Sequence, residues 1–561
     1  MVVPRNDTSV SGSDPEKPFD DKASSSEVKE ELAHSSASSV GSSKPRLPVG
    51  WKIAIIVLTC LCTFGNHWSN GLIVSEKTTI IKNFRINNSQ FATLVAVTNL
   101  VNTFLCIGIG FCIDKWGGAA LSIVLAAFHL SGAAVMAGSA TNSFNNYPLL
   151  IVGKVLAAIG DGSLDNAQHR IFSTYFGPGK GFAFSIGESI ANLAQFTGQS
   201  TANIITTNLG SFAWSLWISA IISLFSLICA LSVFILDRYL RTRYDITDQT
   251  NGTRHTGATK SHVFNFKAVR HLPLTFWMVV LFAVFENAGV QSFVSISTQF
   301  SQQRLKKGAI IGGWVSSFYL LLPAGLTPFL GVFIDVTGHR VTLLFVSGLT
   351  FLISMLLLKF SHTVPTFIAA YVFYALSQSV TPSPQVEIIR NIIPDPQFFA
   401  TGFAIKKSVV QASIVIITTA AGKLQDMSPN SSLDPAVTLW LVYAFVSVLV
   451  SGLLLLCSSL DVSGGWLPAA RLAQVPPYKL PREVDRLWNR AHARKGKTPD
   501  EDVSEKQKEA WLKSPKETTP TSIKWLYMAV SLGVIFIGWI MFGLGVGWGV
   551  HGNVIAGTVG E

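Results

Sequence analysis

Apolar stretches recur along this chain at nearly even spacing, separated by short polar breaks. They run at about 50–74, 91–112, 119–139, 147–170, 181–207, 211–236, 274–300, 310–334, 340–360, 365–389, 399–424 and 435–457, with a thirteenth at about 523–550. A bilayer core takes roughly 20 apolar residues of helix, and each stretch is about that long. The pattern predicts an all-α polytopic membrane protein. The longest polar break among the first twelve, about 237–272, divides them six and six. The expected organisation is a disordered tail over 1–46, a six-helix bundle over 47–236, a central loop over 237–272 and a second six-helix bundle over 273–457. A basic segment over 458–522, an extra transmembrane helix over 523–550 and a short tail over 551–561 follow.

Composition agrees. Of 561 residues, 49% are hydrophobic and 13% charged, against about 25% charged in soluble proteins; mean hydropathy is +0.41. The net charge of +11 would suit nucleic acid in a soluble protein. Here the basic residues gather in two polar breaks. One holds Arg238, Arg241, Arg243, Arg254, Lys260, Lys267 and Arg270; the other holds twelve Lys or Arg between Arg471 and Lys516. Both fall on one side of the membrane if twelve spans precede the second. The positive-inside rule makes that side, and the N-terminus, cytosolic. Lys77, Lys82, Arg85, Arg304, Lys306 and Lys307 run against the trend. Of the four glycosylation sequons, those at Asn87 and Asn430 fall on the expected lumenal side, and those at Asn6 and Asn251 on the cytosolic side. The Ser-, Glu- and Lys-rich start is not a secretory signal. Six cysteines in apolar runs read as small hydrophobes, with no metal spacing.

The fourth span is unusually polar. "KVLAAIGDGSLDNAQHR" carries Lys154, Asp161, Asp165 and Gln168, separated by seven, four and three residues. Those spacings place all four on one helix face. A charge at mid-bilayer costs roughly 2.5–3.5 kcal/mol on the mildest scale, so such a stripe is expected to face the bundle interior or water. The fifth span repeats the theme with Glu188, Asn192, Gln195 and Gln199. The two stripes suit a small polar or zwitterionic solute, with Asp161 or Glu188 as ammonium or proton acceptor. In the bland alternative, Lys154 and an acid neutralise each other between helices. The first span adds Asn66, His67 and Trp68; His67 has the one side chain there that ordinarily titrates between pH 5 and 8. The second half offers Glu286, Gln291, Tyr319, Tyr374 and Lys406. Lys406 or Lys407 would attract a carboxylate, or snorkel to the interface. No nucleophile triad, phosphate loop, metal cluster or cofactor fingerprint emerges, so neither an enzyme nor a bound cofactor or metal is expected.

An internal repeat links the halves. After the second span the chain reads "GFCIDKWGG", with Gly110, Asp114, Lys115 and Gly118; after the eighth it reads "GVFIDVTGHR", with Gly331, Asp335, Gly338 and Arg340. Both are G-x-x-x-D-x-x-G at matched positions. Glycine lets a helix end approach its neighbour, and the aspartate can pair with a base or cap a helix. This pair resembles the signature loop of the major facilitator superfamily. Lys154, Ala158 and Gly160 are similar to that superfamily's helix-four R-x-x-x-G-x-G. The resemblance covers about 50–457 and implies the major facilitator fold: two six-helix bundles around a cavity that opens alternately to either side.

A narrower resemblance lies in "GKVLAAIGDGSLDNAQHRIFSTYF". Gly153, Gly160, Ser163, Leu164, Ala167, Gln168 and Phe176 are similar to the lysosomal dipeptide transporter branch of that superfamily. So are Tyr319, Pro328, Gly331, Asp335, Gly338, Thr401, Ser408, Gly422 and Asp426 in the second half. The resemblance implies facilitated export of dipeptides from a lysosome or vacuole, and a possible glycosylated accessory subunit. Two positions depart from the branch. Gly162 stands where it has a peptide-binding glutamate, and its helix-five arginine has no counterpart near Ala194. Lys406 or Lys407 would stand in loosely for that arginine. The leading expectation is a uniporter of dipeptides or related amino-acid compounds in a lysosomal or vacuolar membrane, with the plasma membrane as alternative. The competing expectations are a proton-coupled permease for another organic solute, such as a monocarboxylate, and a non-transporting scaffold or receptor. The expected partners are a small-molecule substrate, membrane lipids and the accessory subunit that the resemblance implies, with no nucleic acid.

Overall fold

A computed structural model describes residues 45, 47–176, 181–244, 246, 272–393, 399–459, 467–494, 503–513 and 521–552. The expected disordered tail, except residue 45, most of the central loop and the last nine residues lie outside the described residues.

The first bundle contains α1 (Val49–Ser75), α3 (Asn88–Trp116), α4 (Gly118–Ala140), α5 (Tyr147–Tyr175), α6 (Gly181–Leu209) and α7 (Phe212–Arg243), with a short helix α2 (Lys77–Phe84) after α1. The second contains α8 (Leu274–Leu305), α9 (Gly308–Thr337), α10 (Arg340–Phe360), α11 (Val364–Val380) with α12 (Pro382–Ile392), α13 (Phe399–Met427) and α14 (Asp434–Ser459). Beyond it come α15 (Pro468–Gln474), α16 (Leu480–Arg494), α17 (Glu505–Lys513) and the long α18 (Thr521–His551). One end of the molecule carries α2 and is termed the α2 face. The opposite end carries the two signature loops and is termed the loop face.

Eleven helices among the described residues are long and apolar enough to cross a membrane. The other two crossings are the fifth and tenth spans. The fifth, α6, carries the polar stripe that lowers its hydropathy. The tenth breaks at Thr381 into α11 and α12. Pro382 and Pro384 follow, and proline cannot supply the N–H that would continue a helix but is well placed in a first turn. The Thr381 amide still closes the last turn of α11 on the Ser377 carbonyl at 3.1 Å, and the prolines then leave the Gln378 and Val380 carbonyls without their helical donors.

The halves repeat in three dimensions. In the first bundle α1 packs on α6 and α7, α4 on α5 and α7, and α3 on α5; the same pairings recur in the second as α8 with α13 and α14, α10 with α11 and α14, and α9 with α11. Between bundles α3 meets α13, α6 meets α9 and α1 meets α8, as a two-fold relation between halves requires. Within the first bundle α1 and α6 approach closely. A Cβ on Gly198 would fall 2.2 Å from the Trp68 carbonyl oxygen, and one on Gly71 2.3 Å from that of Gln195. Lipid gives helices no hydrophobic reason to associate, so small residues that permit close contact carry the packing.

The last span lies across the seam between the bundles. α18 packs on α3, α13 and α8. Trp539 stacks near Phe104 of α3, with ring centroids 5.1 Å apart. A Cβ on Gly538 would meet Ala412 of α13 at 3.0 Å, and one on Gly545 would meet Thr419 at 2.6 Å. The basic segment before it is partly helical and docks on the second bundle. Gln474 Oε1 accepts from the Val341 and Thr342 amides at 3.0 and 3.1 Å, capping the start of α10. Of the two sequons expected on the lumenal side, Asn430 is exposed whereas Asn87 is buried. Asn87 is occupied in a capping box with Gln90 at the start of α3.

Candidate functional site

The polar stripe of α5 turns toward α1. Lys154 Nζ donates to Asn70 Oδ1 at 3.2 Å. Asn70 Nδ2 donates in turn to both Asp161 oxygens, at 3.1 and 3.3 Å. Lys154 and Asp161 are both buried, so their charges meet through an amide rather than directly. One turn on, His67 Nε2 lies 3.3 Å from Asp165, with the two side chains 19% and 32% exposed. Gln168 is buried a further turn toward the loop face, with its amide nitrogen unpartnered. Four to seven residues of helix per contact keep this row in register, because both helices advance about 5.4 Å per turn. Asn66 and Trp68 are buried beside it, and Asn66 Oδ1 accepts from Asn70 at 3.4 Å.

The stripe of α6 runs from this region to the α2 face. Glu188 is half-buried. Asn192 Oδ1 accepts from Gln378 of α11 at 3.2 Å, crossing the seam. Gln195 is half-buried where its carbonyl meets Gly71. Gln199 is fully buried and plugs the seam: its Nε2 donates to Thr298 at 3.1 Å and Ser316 at 3.0 Å, and its Oε1 accepts from Tyr319 at 3.3 Å.

The second bundle faces these acids with two lysines of α13. Lys407 Nζ donates to the Gly162 carbonyl at 2.8 Å and to Asn166 Oδ1 at 3.4 Å. Lys406 is buried, with its ammonium 5.7 Å from the Phe403 ring centre, and it sits within Coulombic reach of Glu286 and Glu188. Asp165 is likewise within reach of His67, Lys407 and His169. Gly162, where the sequence departs from the branch it resembles, packs against α3: a Cβ would fall 2.3 Å from the Asn102 side-chain amide, which would have to move aside. Its backbone carbonyl instead receives a cation from the opposite bundle.

Other sequence candidates sit elsewhere. Glu286 is fully buried within the second bundle and accepts from Ser347 at 2.7 Å, Ser377 at 3.0 Å and Thr381. Tyr374 is buried and bonds the Val290 carbonyl. Tyr319 and Tyr374 are packed edge-to-face at 5.3 Å in the same core. Gln291 is exposed and bonds Asn287 at 2.9 Å. Of the signature loops, Gly110 meets nothing within 4 Å, whereas Gly118 is where the loop touches α5, a Cβ there falling 2.6 Å from the Ala167 carbonyl. Lys115 is exposed, 5.6 Å from the Trp116 ring centre. Gly331 is buried; Gly338 has φ +70° and abuts Pro476 and Val475, and Arg340 Nη1 donates to the Ala473 carbonyl at 3.4 Å. The side chains of Asp114 and Asp335 lie outside the described residues. Among the described residues no group of three or more His, Cys, Asp or Glu is placed to hold a metal.

Sequence reasoning missed His129, Asn102 and Asn166. His129 of α4 is buried behind Gly160, with neither ring nitrogen hydrogen-bonded to the described residues. A polar residue in mid-span was the available signal: Asn102 lies three residues after Asn99 and directly before Thr103.

Residues 59–312 match the Major Facilitator Superfamily. The lysosomal dipeptide transporter MFSD1 of Danio rerio is 23% identical over 387 residues, covering 67% of this chain and 81% of that protein. The human protein of the same name is 22% identical over 390 residues, covering 67% and 80%. Among solved structures, the proton:xylose symporter XylE superposes with a TM-score of 0.56 at 13% identity, covering 73% of this chain and 96% of that one. The nucleoside transporter NupG gives 0.54 at 13% identity, covering 72% and 98%. The two-fold bundle arrangement and these likenesses together describe a multi-pass membrane protein with the major facilitator fold, similar over residues 59–312 to the Major Facilitator Superfamily and in sequence to the lysosomal dipeptide transporters.

Proposed function

We propose that this protein carries small zwitterionic solutes, dipeptides foremost, from the lumen of a lysosome or vacuole to the cytosol by alternating access. The observation that carries the reading is the division of charge across the seam. Asp161, Asp165 and Glu188 belong to the first bundle, and Lys406 and Lys407 to the second. A solute with an ammonium at one end and a carboxylate at the other complements both sides at once. Glu188, half-buried, is the ammonium acceptor, and Asp161 is held ready behind Asn70. Lys407 replaces its bond to the Gly162 carbonyl with one to the carboxylate. A solute bound this way ties the bundles together, so its binding energy differs between open and closed states, as any ligand-driven shift demands. The basic loops put the loop face in the cytosol and the α2 face in the lumen. The names of the curated relatives support the substrate class and the organelle.

The test is thermal stability of the purified protein against dipeptides, amino acids, sugars and monocarboxylates at pH 5 and pH 7. Dipeptides are expected to stabilise it, and Glu188→Gln and Lys407→Ala to abolish the effect. A response to sugars or monocarboxylates alone refutes the proposal. The His67–Asp165 pair favours a second reading, proton-coupled transport. Uptake into proteoliposomes that accumulates solute under an imposed pH gradient, and stops doing so in His67→Gln, would establish it; pH-independent equilibration excludes it.

A further inference from the structure

The α2 face is shut by a bond between bundles that the transport cycle must break. Asp426 is the penultimate residue of α13. Its Oδ1 accepts from the Asn88 backbone amide and the Asn88 side-chain amide, both at 3.0 Å. Its Oδ2 accepts from the Ser89 amide at 2.9 Å and from Ser89 Oγ at 2.5 Å. Asn88 and Ser89 are the first two residues of α3. The first N–H groups of a helix have no partner within it, and a negative charge there is favoured by the aligned peptide dipoles. The helix supplies part of its own cap: Asn87 Oδ1 accepts from the Gln90 amide at 2.8 Å. The remaining amides are capped from the other bundle, 337 and 338 residues away in sequence.

The surroundings are built for that carboxylate. A Cβ on Gly422, one turn earlier on α13, would meet Ala92 of α3 at 2.6 Å, so the glycine lets the two helices close up. Lys77 of α2 donates to Gln425 Oε1 at 3.0 Å, and Gln425 donates to Gln299 of α8 at 3.0 Å. The end of α18 lies over the same spot: its Gly549 carbonyl accepts from Asn87 Nδ2 at 3.0 Å, and Trp548 lies under Lys423, whose ammonium is 5.6 Å from the ring centre. The symmetry-related crossing of α6 with α9 is held by neutral groups, such as Asn203 Nδ2 on the Ala309 carbonyl at 3.3 Å. The carboxylate latch therefore exists on one of the two crossings.

We propose that Asp426 is the latch of the α2 face: its carboxylate completes the cap of α3 only when the bundles meet there, and it must leave that helix end for the face to open. The latch sets the share of time the carrier spends open to that side. Its consequence for transport rests on the alternating-access reading above, but its test needs no substrate.

The test is a distance between bundles in the full-length protein. Phe144, before α5, and Phe360, ending α10, are exposed near the α2 face on the outer sides of the two bundles. Spin labels on cysteines at these positions, with the six native cysteines replaced, report the separation by pulsed electron paramagnetic resonance. Asp426→Asn is expected to raise the longer-distance population severalfold, and Ser89→Ala to raise it by less. Asp426→Asn leaves the volume of the side chain intact, so it tests the latch even if Asp426→Ala fails to fold. Distributions for Asp426→Asn and Ser89→Ala that superimpose on the parent's overturn the proposal, whatever the substrate proves to be.

Discussion

Lys77 gives the α2 face a pH dependence whose sign follows from its burial. The residue is 3% exposed, bonds Gln425 and lies 5.3 Å from the centre of the Phe91 ring. Burial pushes its ammonium down from 10.5 to about 7, with the charge of Asp426 working in the opposite direction. A base depressed in the folded state binds fewer protons folded than unfolded between those two values, so stability rises with pH across that window. Below pH 7 the cost of the buried charge is present in full. Each pH unit above it relieves about 1.4 kcal/mol, so pH 7 to 8.5 recovers about 2 kcal/mol. Domains of 150–250 residues shift by about 2–4 °C per kcal/mol and larger ones by less, so melting is expected to rise by a few degrees. Lys77→Met keeps the apolar stem and removes the charge. It also leaves Gln425 Oε1 short of a donor, at roughly 1–3 kcal/mol. The variant should therefore be no less stable than the parent at pH 6 and should lack the rise above pH 7. Burial also pushes the carboxyl of neighbouring Glu76 up, but parent and variant share that group, so it cancels in their difference. The assay is intrinsic tryptophan fluorescence on heating, from pH 6 to pH 8.5, for both proteins. Parallel curves would falsify the assignment of that slope to Lys77.

Two further outcomes follow from the packing. Gly198→Ala places a methyl 2.2 Å from the Trp68 carbonyl, and overpacking of this kind typically costs about 1–3 kcal/mol; thermal unfolding should show the loss, and an unchanged melting temperature would mean that α1 and α6 part freely. Gln474→Ala removes the cap of α10, worth about 0.5–2 kcal/mol, and should speed proteolysis within 467–513 while leaving the membrane core protected; equal cleavage rates in parent and variant would refute the docking role.

Much of this architecture was legible before any coordinates. A spanning segment must satisfy its backbone hydrogen bonds within itself and present apolar side chains to lipid, so span length and the six-plus-six division are written locally. The same rule made the stripe from Lys154 to Gln168 conspicuous, and its periodicity foretold that the four side chains share a face. The exceptions have local causes. α2 is too short to register as a span, the polar face of α6 weakens its apolar signal, and Pro382 with Pro384 splits a stretch that hydropathy alone reads as continuous. The basic stretch over 458–522 read as a polar segment, because the docking of α15 depends on Gln474 finding the start of α10.

What tertiary structure alone decided is which polar groups meet. That Asn70 stands between Lys154 and Asp161, that Lys407 reaches the Gly162 carbonyl, and that Glu286 is consumed by three hydroxyls inside its own bundle all depend on helices brought together from distant parts of the chain. Lys77 read from sequence as an exception to a charge rule, and Asp426 as one of the positions similar to the dipeptide transporter branch; their joint place in the shut α2 face appears only once the bundles are assembled. The physical reason is that lipid enforces the apolar surface of each span one residue at a time, whereas a polar contact between bundles needs two distant residues at the correct depth and rotation.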